Sequence, residues 1–154
     1  MITKTINFKS SVNVKFDLDN IEILRKYMPT PSHAESLNGI LAGFNTTGAR
    51  RSHIIIGPYG TGKSMLSTLL ASIVTKNISK NDFSLISQKF SSLDDEIYNG
   101  LLKSRDLEKK YYPVVLNGYE GKFKHSILSA ILKTLSSNGI ELIVPGVMTK
   151  ILET

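Results

Sequence analysis

Cysteine and tryptophan are both absent from this 154-residue sequence. Without cysteine there can be no disulfide, no zinc–thiolate centre and no thiol nucleophile, and the chain suits a reducing compartment. Long apolar runs are also missing. No stretch approaches the ~20 residues needed to span a bilayer, and residues 1–8 carry no signal-peptide core. The expected location is the cytoplasm, with no membrane partner. Acidic residues are in the minority, 13 against 19 lysines and arginines, for a net charge of +6. That excess suits polyanions such as DNA or RNA, and it equally suits an ordinary solvated basic surface. Hydrophobic residues at 41% and charged residues at 21% fall within globular usage, so disorder is not expected.

What is present is organised around one motif. Gly57-Pro58-Tyr59-Gly60-Thr61-Gly62-Lys63-Ser64 matches G-x-x-x-x-G-K-[ST] at every position. Fewer than about one in a hundred chains of this length would carry it by accident. The residue types fit phosphate chemistry. Gly57, Gly60 and Gly62 let the backbone wrap an anion with its N–H groups inward and no Cβ in the way. The helix expected from Lys63 adds the positive end of its dipole. Lys63 is expected to reach β- and γ-phosphate oxygens, and Ser64 to place its hydroxyl on Mg2+. Thr61 and Met65 are expected to offer backbone N–H groups. Lys63 and Ser64 are thus the candidate catalytic residues, and Ser64 is the candidate metal ligand. The expected ligands are ATP and Mg2+. Adenine is favoured because the Asn-Lys-x-Asp segment common to guanine sites does not occur.

The rest of the chain reads as alternating elements. Residues 12–18 alternate apolar and polar, the period of a half-buried strand that Ile6 and Phe8 begin or pair with. Asn20 suits an N-cap for a short helix reaching Met28, stopped by Pro29 and Pro31. Ser32 and Glu35 read as a capping box for a helix through Phe44. Residues 52–56 read as a buried parallel strand, and Met65, Leu66, Leu69, Leu70, Ile73 and Val74 as the apolar stripe of the next helix. Residues 82–104 suit helix in two pieces. Residues 112–116 read as a second buried strand, 123–137 as an amphipathic helix with Phe123, Ile127, Leu128, Ile131, Leu132 and Leu135 inward, and 140–144 as a third strand. The order predicts an α/β fold, an incomplete P-loop NTPase-type parallel sheet flanked by helices. A small β/α extension over 1–48 would precede a core over 49–154.

Other constellations carry less. Hydrolysis of a triphosphate needs an acid at the end of a second strand, and residues 114–116 run into Asn117 instead. Asp94-Asp95-Glu96 reads as a helix N-terminus. His33, His53 and His125 lack metal-ligand spacing. Lys103, Arg105, Lys109 and Lys110 are candidate DNA-phosphate contacts or an ordinary solvated connector. Arg50 and Arg51 suit a surface or partner contact.

Residues 51–64, together with 112–118, resemble the P-loop region of large bacterial ATPases of phage-defence operons, the BREX-system ATPases of the BrxC/PglY type within the AAA-like group. The likeness covers about residues 50–120. It implies a longer multi-domain ATPase acting with partner proteins on DNA, with oligomers possible. Only residues 57–64 carry over from that family. The chain stops before an acidic second motif, and residues 150–154 look like an interrupted helix, so an N-terminal fragment is the expectation. Two alternatives remain open: a small-molecule or nucleoside kinase, for which Glu120 is the only acid near the second strand, and a module that binds nucleotide without cleaving it.

Overall fold

The computed structural model describes residues 12–18, 20–106, 108–116 and 122–141. Expectations on Ile6, Phe8, Asn117, Glu120, residues 142–144 and residues 150–154 lie outside them. All regular structure among the described residues is helical: α1 (Val14–Asp17), α2 (Ile21–Arg25), α3 (Pro31–Asn45), α4 (Lys63–Val74), α5 (Lys80–Ser91), α6 (Asp95–Asp106) and α7 (Phe123–Ser137). The chain divides into two compact units, Met1–Lys110 and Tyr111–Thr154.

The expected parallel sheet is therefore corrected: no strand is formed among the described residues. Residues 12–18 hold helix α1 in place of a strand, with Asp17 accepting from the Asn13 N–H at 2.9 Å. Residues 52–56 hold no regular structure, and Ile54 and Ile56 are 88% and 89% exposed. Only Ile55 packs against the core. A parallel strand needs cover on both faces and hydrogen-bonded neighbours on both edges. This segment has one apolar contact face and no ladder. Residues 112–116 repeat the pattern, with Tyr112, Val114 and Leu116 exposed.

Helices fill the centre that a sheet would have occupied. Leu37 and Leu41 of α3, Leu66, Leu69 and Ile73 of α4, Phe83, Ile86 and Phe90 of α5, and Ile97 and Leu101 of α6 form one buried cluster. Their steps of three and four put each set on one helix face. In the first unit α3 packs on α6 and α4, α5 packs on α6, and α2 packs on both α4 and α5.

Local chemistry sets the helix ends. The start of α3 differs from the expected capping box: Thr30 is the N-cap, its hydroxyl accepts from His33 N–H at 3.3 Å, and Pro31 takes the first turn. α2 begins after Asn20 as expected but ends at Arg25, and Asn20 makes no side-chain cap bond. Ser79 is the N-cap of α5. Asp82 N–H donates to Ser79 Oγ at 3.1 Å, and Ser79 Oγ donates to the Asp82 carboxylate at 2.7 Å. The same carboxylate accepts from Arg25 Nε at 2.7 Å, tying α5 to α2. Lys89 reaches back from α5 to the carbonyls of Arg25 and Tyr27 at 2.6 and 2.9 Å, at the C-terminal end of α2 where a cation is favoured. Asp94 and its neighbours do begin a helix, and Asp94 Oδ1 accepts from Glu96 N–H at 2.7 Å.

In the second unit, α7 forms over the residues expected, yet none of its side chains is buried and Phe123 is 66% exposed. Thr134 Oγ1 donates to the Pro113 carbonyl at 3.2 Å, joining α7 to the extended segment of the same unit.

Candidate functional site

Residues 57–62 form a loop that ends where α4 begins. Gly60 and Gly62 have φ of 81° and 82°, the left-handed region open to glycine at low cost. Gly62 is the N-cap of α4 and has no side chain to satisfy the first turn. The first closing bond is Leu66 N–H to Gly62 O at 2.9 Å, so the N–H groups of Lys63, Ser64 and Met65 precede the helix ladder. They stand at the positive end of the α4 dipole.

Lys63 folds back over the loop. Its Nζ donates to the carbonyls of Gly57 at 2.7 Å and Pro58 at 2.6 Å. Thr61 Oγ1 also donates to Pro58 O, at 2.9 Å. A Cβ at Gly57 would lie 3.1 Å from Thr61 Oγ1, a tight contact with a side-chain atom. The loop therefore brings together the expected residues Gly57, Gly60, Thr61, Gly62, Lys63 and Ser64. The Met65 side chain packs on the core, as its place in the apolar stripe of α4 predicts, and its N–H lies in the first turn.

Sequence reading missed one member of the site. His33, on α3, places Nε2 2.6 Å from the carbonyl oxygen of Thr61. Its ring stacks on Tyr27 with centroids 5.7 Å apart. His33 Nδ1 and the Tyr27 hydroxyl are both buried with no hydrogen-bond partner among the described residues. Burial raises the Tyr27 hydroxyl's pKa well above its ordinary value. The only local hint of His33 was its place in the first turn of a helix after a proline turn, and nothing in the sequence points from there to residue 61.

The other candidates separate from this loop. Among the described residues no group of three or more histidine, aspartate or glutamate side chains could hold a metal ion. His53 instead contacts Arg50 O at 3.1 Å. Arg105, a candidate phosphate contact, lies 4.7 Å over the Phe83 ring and donates to Ile78 O at 3.2 Å, so it serves packing. Lys103 lines a polar groove of about 500 Å3 between α3 and α6 with Asn38, Asn45 and Glu96. Asn45 and Gly100 help close it, since Asn45 Nδ2 donates to Gly100 O at 3.2 Å.

No protein-family model, curated protein or solved structure matches this chain. Among the described residues no helix is long and apolar enough to cross a membrane.

Proposed function

We propose that residues 57–64 bind the phosphates of a nucleoside triphosphate, ATP with Mg2+. The observation that carries this reading is local: two glycines at positive φ lead into an uncapped helix start, and the Lys63 ammonium sits over the same loop, 2.7 Å from Gly57 O. None of these features requires a sheet. On this reading Lys63 exchanges its carbonyl contacts for phosphate oxygens. The N–H groups at the start of α4 take the remaining phosphate charge, and Ser64 supplies a hydroxyl to Mg2+. Mg2+ held by that hydroxyl would draw charge off the phosphates. The reading includes a cytoplasmic location.

Binding is distinct from turnover. Cleavage needs an acid that holds the metal through water and orients the attacking water. The claim made for this chain is accordingly binding, with Lys63 and Ser64 gaining catalytic roles where such an acid is supplied. The resemblance of residues 50–120 to phage-defence ATPases supports a wider role beside partner proteins and DNA. That part of the reading rests on the resemblance alone.

Calorimetric titration tests the binding claim. Mg-ATP is expected to bind the wild-type chain, and Lys63→Ala to weaken it at least about tenfold, as loss of a charge-assisted contact does. Equal affinity of the two proteins would overturn the assignment. Phosphate release, followed in the same samples, separates a binding module from an ATPase.

A further inference from the structure

The Thr61–Gly62 peptide is held from outside the loop. The Thr61 carbonyl oxygen accepts, so the 2.6 Å contact assigns the hydrogen of neutral His33 to Nε2 and leaves Nδ1 bare. The ring is fixed on two further sides. Tyr27 stacks on it at an interplanar angle of 26°, and Thr30 caps the turn of α3 that carries it. Gly62 lies directly against it: a Cβ there would be 2.8 Å from His33 Cε1 and 3.1 Å from Nε2. Farther along α3, Gly43 touches the start of the same segment, where an added Cβ would be 2.6 Å from Arg50 O. One helix thus braces the chain at residues 50 and 61, on either side of Gly57.

Peptide geometry turns this brace into an orientation. Among the described residues no peptide bond is cis, and in a trans peptide the C=O and N–H point in opposite directions. With the Thr61 carbonyl drawn to His33, the Gly62 N–H of the same peptide must point away from α3. We propose that His33 is a positioning residue for phosphate binding: by holding the Thr61 carbonyl through Nε2–H, it presents the Gly62 N–H to the phosphate. The inference rests on the reading of residues 57–64 as a nucleotide-phosphate loop. It assigns α3 a task in the site that the motif does not record.

The test is calorimetric titration of Mg-ATP into the wild type, His33→Phe, His33→Gln and His33→Ala, with thermal melts of each. Because His33→Ala also removes the ring stacked on Tyr27, His33→Phe is the deciding variant: it keeps a ring and deletes the donor. His33→Phe is expected to melt close to the wild type and to bind about tenfold more weakly, the usual loss for one oriented hydrogen bond. His33→Gln, whose amide can still donate, is expected to recover most of that loss. If the wild type binds Mg-ATP and His33→Phe binds within about twofold of it, the inference is overturned while the phosphate-loop reading stands. If His33→Gln is as weak as His33→Phe, the donor is not what matters and the inference also falls. If the wild type fails to bind Mg-ATP, the phosphate-loop reading fails, and the inference falls with it.

Discussion

Helices α4 and α7 carry similar apolar stripes and meet opposite fates. In α4, Leu66, Leu69, Ile73 and Val74 are buried, along with Thr68, Ala71 and Ser72, because α2, α3 and α6 of the same unit cover them. In α7, Ile127, Leu128, Ile131, Leu132 and Leu135 follow the same steps, yet no residue of the helix is buried. Both are helices, since periodicity and good helix formers act within one segment. Only one is core. A stripe states that a face can be buried, and the elements packed beside it decide whether it is.

Matched truncations test that contrast most sharply. Leu69→Ala in α4, at a site 0% exposed, should cost about 3 kcal/mol in urea denaturation, and Leu128→Ala in α7 less than about 1 kcal/mol. Equal losses would mean that α7 is covered as α4 is. The start of α4 supplies the next largest effect. Gly62→Ala should cost about 1–2 kcal/mol for a left-handed alanine, with a further loss from the His33 ring it displaces.

Smaller effects follow where helices are tied together. Arg25 first, then Ser79, hold the Asp82 carboxyl below its ordinary pKa of 3.8. A depressed carboxylate stabilises the fold above its unfolded pKa, and that contribution is lost as pH falls through the folded value. Asp82→Asn should therefore lower the melting temperature at neutral pH, and the gap to wild type should close as pH falls below about 4. A gap independent of pH would assign the loss to helix capping alone. The smallest effect is expected at Tyr27, whose buried hydroxyl has no partner among the described residues. Tyr27→Phe should leave stability unchanged or raise it by up to about 1 kcal/mol, because an unsatisfied buried polar group is removed.

Much of this was legible in the sequence. The helices over residues 31–45, 63–74, 80–91, 95–106 and 123–137 follow from apolar spacing, and the loop glycines at 60 and 62 do take the positive φ that the motif requires. The sheet was not legible. Ile54-Ile55-Ile56 is β-branched, which satisfies the local half of a strand's requirements, but pairing depends on neighbours remote in sequence. Asp82 at the third place after Ser79 is a capping signal that the sequence does carry.

By itself the sequence determined where the longer helices form and where glycine can take left-handed backbone, because helix periodicity and glycine's freedom are properties of a few adjacent residues. The tertiary structure alone decided which stripes became core, that Ile54 and Ile56 stay exposed, and that His33 meets Thr61 across 28 positions of chain. Those outcomes depend on which surfaces are brought together, and contacts between distant residues leave no local pattern to read.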